Sequence, residues 1–321
     1  MPDNPTNAPV PRRAGQGRFV AETDETGLGA VDAVADESAP SSMWGEAWKQ
    51  LRRRPVFWVS SLLILGALVL AAVPGLITST DPVYCTLSNS YGPAAPGHPF
   101  GFDRQGCDIF ARTVYGARAS VSVGVLTTFI VVVIGSAMGA LAGFFGGVFD
   151  ALLSRVTDIF FAIPFVLAAI VVMQMFKNDR SIMTVVLVLA LFGWPQIARI
   201  TRGSVMSTKN EDFVTASRAL GSGRLAMLMR HVMPNAAAPI IVTATVQLGT
   251  FIVSEATLSF LGIGLPPSIV SWGADIASAQ TALRSAPSVL LYPAGALALT
   301  VLGFIMLGDV VRDALDPKAR K

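Results

Sequence analysis

Apolar residues arrive in long blocks along this chain. Six runs, at roughly 56–77, 119–146, 156–176, 181–200, 236–262 and 288–308, carry few charges. Each reaches or approaches the about 20 residues that an α-helix needs to cross a bilayer. The pattern predicts an all-α, polytopic membrane helix bundle with six transmembrane helices. Residues 1–41 differ: they lack an apolar period and are rich in Pro, Gly, Ser, Asp and Glu, the composition of a disordered tail. No apolar run follows the early arginines, so the tail does not read as a signal peptide. Residues 42–55 place Trp44, Trp48 and Leu51 on one helical face ahead of Arg52-Arg53-Arg54 and Pro55. Two readings stand, an interfacial amphipathic helix or an extension of the first span.

Charge sets the expected orientation. The three arginines before the first span put the N-terminus in the cytoplasm by the positive-inside rule. Alternation then places 78–118, 177–180 and 263–287 outside, and 147–155, 201–235 and the C-terminus inside. The 201–235 loop holds Arg202, Lys209, Arg218, Arg224 and Arg230, and the chain ends in Lys318, Arg320 and Lys321. In the first outer loop Arg104, Arg112 and Arg118 are largely offset by Asp81, Asp103 and Asp108. The expected organisation is a tail (1–41), the interfacial segment (42–55), the first span with its extracytoplasmic loop (56–118), a five-helix core containing the 201–235 loop (119–308), and a cytoplasmic tail (309–321).

The polar stretch Asn210–Asn235 interrupts the apolar pattern and reads as two short helices. Asn210 is a candidate cap, with Glu211 and Asp212 in the first turn. Phe213, Ala216, Ser217 and Leu220 recur at i, i+3, i+4 and i+7 and form one small-to-apolar face. Gly221 and Gly223 break the pattern. Leu225, Leu228, Met229, Val232 and Met233 resume it, and Pro234 is the expected stop. A helix–glycine–helix elbow with an apolar face, lodged between spans, is suited to docking on a partner.

Composition agrees with a membrane protein: 52% of residues are hydrophobic, 14% are charged and the mean hydropathy is +0.58, against about 25% charged in soluble domains. The net charge of +3 does not call for nucleic acid as a partner. No lysine follows a glycine, so there is no phosphate-binding P-loop and no ATPase site of the chain's own. Only His98 and His231 are present, far apart. They give no His-rich metal site and no catalytic triad. Cys85 and Cys107 are the two cysteines. Both fall in the first outer loop and form either a disulfide or two free thiols.

The elbow, through Ala216-Ser217, Gly221 and Met233-Pro234, resembles the EAA loop of ABC importer permeases. The resemblance extends to His98-Pro99-Phe100-Gly101-Phe102-Asp103, Gly106 and Asp108, Tyr115-Gly116-Ala117-Arg118, Leu258-Ser259-Phe260-Leu261-Gly262, and Leu307-Gly308-Asp309. These are similar to motifs of the C-type permeases of dipeptide, oligopeptide and nickel importers, and the likeness covers about residues 43–321. Three positions depart from the family pattern: Cys107 replaces an arginine, Thr215 the usual glutamate of the elbow, and His231 an isoleucine. The resemblance implies a type I ABC importer permease-like fold. It implies an ATPase-coupling loop carried by Glu211, Thr215, Ala216, Ser217, Gly221, His231 and Pro234, and no catalytic residue. It implies a plasma-membrane subunit that binds no cofactor itself, with ATP and magnesium held by P-loop ATPase subunits. A homologous second permease, an extracytoplasmic substrate-binding protein and the lipid membrane complete the partners. Peptides are the favoured cargo, with nickel chelates or haem as the runner-up. A secondary transporter or membrane scaffold is the rival class, and it would be expected to show paired inverted repeats.

Polar residues inside spans are candidate path residues, because an ionised group at the bilayer centre must face protein or water. Gln247, Thr250 and Glu255 in the fifth span are the main candidates, with Asp158 and Gln174 in the third. Glu255 reads either as a substrate contact or as a structural hydrogen-bonding group. Gly135, Gly139 and Gly143, spaced by four, allow close helix approach, for static packing or for a sliding interface.

Overall fold

The computed structural model describes residues 43–315. Among them the chain is helical, with α1 Met43–Leu51, α2 Pro55–Ala72, α3 Ile109–Phe145, α4 Gly147–Ala162, α5 Phe165–Met175, α6 Ile182–Thr208 and α7 Asp212–Ala219. There follow α8 Arg224–Phe260, α9 Trp272–Ala279 and α10 Ser288–Leu315. Five of these are long and apolar enough to cross a membrane, and the pair α4–α5, bent by 86°, makes a sixth if counted as one span. The expected tail at 1–41 lies outside the described residues.

Several boundaries differ from the apolar runs, each for a local reason. The second span begins at Ile109, not 119, because Asp108 caps it by accepting from the Phe110 amide at 3.0 Å. The Tyr115–Arg118 motif is therefore helical. Arg118 is accommodated there by donating to the carbonyls of Ala71 and Ala72 at the end of α2. The third span is two helices. Pro164 has no amide hydrogen, and Ile163 before it is extended (φ −95°, ψ 123°). The expected 147–155 loop is the start of α4. The fourth span runs on to Thr208 through Pro195. The last continues past 308 to Leu315, so the expected 309–321 tail starts as helix.

Glycines fix the central seam between α3 and α6. A Cβ on Gly135, Gly139 or Gly143 would lie 2.8, 2.3 and 2.7 Å from the carbonyl oxygens of Trp194, Ala198 and Arg202. The two backbones come close at three successive turns of α3, flanked by the side chains of Ile197, Thr201 and Val205 of α6, the close approach small residues permit. Arg202 then closes one end with a pair to Asp150 of α4 (Nη2–Oδ2 2.8 Å). The core proper lies between α3, α5, α6 and α8, around Leu189, Ile197, Met173 and Phe251. Residues such as Leu62, Leu65, Phe129 and Val171 point outward, as expected for a surface that meets lipid. Helix α1 packs Ala47 against Ala314 and Leu315 of α10, and Arg54 pairs with Asp313. Trp48 remains half exposed.

Candidate functional site

The elbow is an α7–turn–α8 unit at one end of the bundle. Glu211, not Asn210, takes the N-cap position of α7. Asn210 instead donates from its amide to the Met206 carbonyl, at the end of α6. The turn after α7 has the Schellman pattern: Ser222 N–H donates to Ser217 O and Gly221 N–H to Arg218 O. Gly221 holds φ at +84°, a left-handed conformation that costs a β-carbon-bearing residue about 1–2 kcal/mol. Ser217 Oγ donates to Ser222 Oγ at 2.9 Å across the same turn.

The inward face of α7 is Val214 with Ser217, packed over Met227, Leu228 and Val232 of α8 and Val205 of α6. The predicted face was therefore rotated. Phe213, Ala216 and Leu220 point away from the bundle, as do Thr215, Leu225 and Met229. Leu220 is 88% exposed, so the elbow shows an uncovered apolar row beside Arg218 and Arg224. A groove of about 620 Å³ runs beneath it, lined by Phe144, Lys209, Thr215, Arg218 and Arg224. Lys209 Nζ spans the groove's edge to donate to Gly143 O at 2.6 Å.

Pro234 does not stop the second elbow helix, correcting the sequence expectation. Leu228–Val232 forms a π turn, which widens the helix just ahead of the proline ring. The helix then passes through Pro234 and Pro239 to Phe260. His231 is half-buried within this turn, and its carbonyl accepts from Asn235 Nδ2 at 2.6 Å. The second elbow helix and the fifth span are thus one 37-residue helix.

The three path candidates separate in space. Gln247 and Thr250 line a cavity of about 260 Å³ together with Gln196 and Phe251. Glu255 does not. Its side chain is fully buried and accepts from Ser120 Oγ of α3 at 2.8 Å and Ser259 Oγ at 2.7 Å. Ser120 Oγ accepts from the Trp272 amide and Ser259 Oγ from the Leu265 amide. One carboxyl group thereby ties α3, α8 and the loop leading to α9. In the third span, Asp158 pairs with Arg199 at 2.8 Å on the surface, and Gln174 is exposed.

Two functional candidates escaped the sequence reading. Gln196 sits in the fourth span directly after Pro195, a polar residue in an apolar run that the same test should have singled out. Arg112, counted only as a loop charge, donates from Nε to Asp275 of α9 at 2.9 Å and from Nη1 to Pro82 O. Burial pushes the Asp275 carboxyl above the ordinary carboxylate range, and Arg112 draws it part of the way back. In the 73–108 loop the structure joins Cys85 to Cys107 as a disulfide, with Cys107 fully buried. Gly106 beside it is indispensable to the packing, since a Cβ there would lie 1.9 Å from Thr86 O.

A family model described as binding-protein-dependent transport system inner membrane component matches residues 135–321. The chain belongs to this family. A second model, the N-terminal transmembrane domain of oligopeptide transport permease C, matches residues 42–93 of the permease. The permease is 36% identical over 292 residues to the oligopeptide transport system permease protein OppC of Bacillus subtilis (strain 168), covering 91% of this chain and 95% of that one. It is 37% identical over 286 residues to the dipeptide transport system permease protein DppC of Alkalihalophilus pseudofirmus, covering 89% and 93%. It is 38% identical over 281 residues to the glutathione transport system permease protein GsiD of Escherichia coli O157:H7, covering 86% and 91%. In fold the permease resembles a chain of the inward-facing MetNI methionine ABC transporter, with a TM-score of 0.54 at 19% identity over 64% of this chain and 96% of that one. A chain of an amino acid ABC transporter aligns with a TM-score of 0.50 at 16% identity, over 63% and 92%. The fold is the type I ABC importer permease-like helix bundle, and the permease is a multi-pass membrane protein.

Proposed function

We propose that the permease is one of two homologous transmembrane subunits of an ATP-driven importer of dipeptides or oligopeptides. Its elbow seats on a P-loop ATPase subunit in the cytoplasm, where both chain termini also lie. ATP and magnesium belong to the ATPase subunits, and a substrate-binding protein delivers cargo to the opposite face. The observation that carries the coupling role is the uncovered row Phe213, Leu220, Leu225 and Met229 on an elbow continuous with a membrane helix. At 1.5 Å per residue that helix is about 55 Å long. A displacement of the elbow by the closing ATPase dimer is carried along it into the span, where it alternates access between the two sides. The peptide cargo is supported by the relatives' names and by the elbow and outer-loop motifs. The Gly221 turn and the Glu211 N-cap set the docking face, with Thr215 and Ala216 exposed on it.

The test is reconstitution of the permease with its partner permease, ATPase subunits and binding protein in liposomes. Labelled di- and tripeptides, Ni²⁺ and haem are offered with and without ATP. ATP-dependent peptide uptake is the expected result. Uptake of Ni²⁺ or haem without peptide would move the assignment to the runner-up cargo. Uptake by the permease alone, driven by an ion gradient, would overturn the ABC reading.

A further inference from the structure

We propose that the cavity between α4, α5, α6 and α8 is a cargo subsite that receives one apolar side chain and its adjoining peptide group. The proposal rests on the peptide-importer reading and specifies what part of the peptide the permease itself contacts. The cavity exists because two proline-marked helix features face each other. Pro164 breaks the third span, and Pro195 lies opposite within α6, both on the cavity wall. Gly193 lets the wall close in: a Cβ there would lie 2.6 Å from the Phe251 ring. Phe165 and Phe251 pack with ring centroids 6.2 Å apart, and Phe160 and Phe192 at 5.9 Å. The result is an aromatic box, the kind of surface that takes an apolar or aromatic side chain.

The polar content of the cavity is an amide pair. Gln247 is 5% exposed and donates from Nε2 to Gln196 Oε1 at 3.0 Å. Its own Oε1 is buried without a hydrogen-bond partner. A buried carbonyl acceptor of this kind is disfavoured unless something donates to it. Interchanging oxygen and nitrogen in both amides leaves the inventory unchanged, because a bonded pair of primary amides always retains one free acceptor and one free NH₂. That is the complement of a single peptide group, which offers one N–H and one C=O. The residues lining the cavity include no Asp, Glu, Lys, Arg, His or Cys. A charged terminus or a metal cation would find no countercharge there, whereas a neutral interior segment of a peptide fits. At about 260 Å³ the cavity falls just below the range of about 300–1,000 Å³ for whole small-molecule ligands. It suits one side chain with its peptide group, not an entire oligopeptide.

The test uses the complete transporter with its own binding protein in proteoliposomes, comparing uptake of Ala-Phe-Ala with Ala-Ala-Ala. Because the binding protein is the same throughout, a changed ratio between the two peptides belongs to this chain. Phe165→Ala is expected to lower the Ala-Phe-Ala to Ala-Ala-Ala ratio by about tenfold relative to wild type. Gln247→Leu is expected to slow both peptides by about fivefold, the effect of losing one neutral hydrogen bond. Val171→Ala, exposed on α5 away from the cavity, is the control and should leave the ratio alone. The ratio is internally normalised, so reduced assembly by itself does not move it. As a second measurement on the wild-type complex, Ala-Bpa-Ala, where Bpa is p-benzoylphenylalanine, is photolysed during ATP-dependent transport. Adducts are expected on Phe165, Phe251 or their immediate neighbours. An unchanged ratio in Phe165→Ala, or adducts confined to other parts of the complex, overturns the subsite. Absence of ATP-dependent uptake of both peptides by the wild type would instead overturn the peptide-importer reading.

Discussion

Glu255 is a fully buried carboxyl group whose two oxygens each have a partner, and truncating it tests what it is for. In Glu255→Ala the hydroxyls of Ser120 and Ser259 lose their acceptor. Those hydroxyls in turn accept from the amides of Trp272 and Leu265. Each stranded polar group costs about 1–3 kcal/mol, so two of them cost about 2–6 kcal/mol, with a further loss from the space left behind. Glu255→Gln keeps one acceptor oxygen and nearly the same volume. It presents an NH₂ to the other serine, which must turn its hydroxyl, at a cost of about 1–2 kcal/mol. The structure therefore predicts an order, wild type above Gln above Ala, in apparent melting temperature and in yield of the assembled complex. Uptake normalised to assembled complex should stay near wild type in both variants. Thermal denaturation followed by size-exclusion chromatography reads the first quantity, and peptide uptake per assembled complex the second. A Glu255→Gln complex that assembles and melts like wild type but has lost uptake would refute the structural reading and return this residue to the transport path.

Gly221→Val forces a β-branched side chain into φ +84°. It should destabilise the turn by about 1–2 kcal/mol, seen as weakened co-purification of the ATPase subunits or ATP hydrolysis no longer matched by uptake; normal values for both would remove the elbow from the coupling path. Gly139→Leu drives a side chain into Ala198 O, 2.3 Å from the Cβ position alone, and should abolish accumulation of folded protein, whereas Leu62→Ala on the outward face of α2 should not. Mass spectrometry of a non-reduced digest should recover the Cys85 and Cys107 peptides linked, and alkylation of both thiols without reductant would contradict the bridge. In intact cells Ser268→Cys should react with a membrane-impermeant maleimide and Thr215→Cys should not; the reverse result would invert the orientation and the docking argument with it.

The spans were legible because lipid imposes one rule on every residue of a helix, and length with hydropathy suffices to apply it. What escaped was set by contacts between distant segments. Nothing in the local pattern says that Arg112 will find Asp275, so helix α3 appeared to begin after its arginines when it begins before them. The broken third span did carry a signal in Pro164, but an unbroken apolar run on both sides masked it. Pro234 misled in the opposite direction. A proline ends a regular α-helix, yet a π turn upstream accommodates it, and π turns have no sequence signature of their own. The elbow face was displaced for a similar reason. Spacing identified Phe213, Ala216, Ser217 and Leu220 as one stripe, but the bundle took Val214 with Ser217 and left Phe213 and Leu220 outside. Of the three polar candidates in the fifth span, Gln247 and Thr250 are neighbours at i, i+3 while Glu255 lies five residues beyond Thr250, so helical spacing alone sets Glu255 apart. It could not say which side faced a cavity, because that depends on the break at Pro164 and on Gln196 across from it.

The π turn at Leu228–Val232 also sets an angular phase. Its hydrogen bonds span five residues where an α turn spans four, so it holds one residue beyond what a regular helix would need. Successive residues of an α-helix turn by about 100° and rise by about 1.5 Å. Winding this turn as regular α-helix with all its residues kept would swing Arg224 and the elbow by about that angle around the axis of the span while leaving every residue from Met233 onward in place. The direction in which the elbow's apolar row faces is then a property of how this turn is wound, not of any one side chain in the row. A chain with every residue of that row intact but this turn wound as regular α-helix would present them to the wrong quarter.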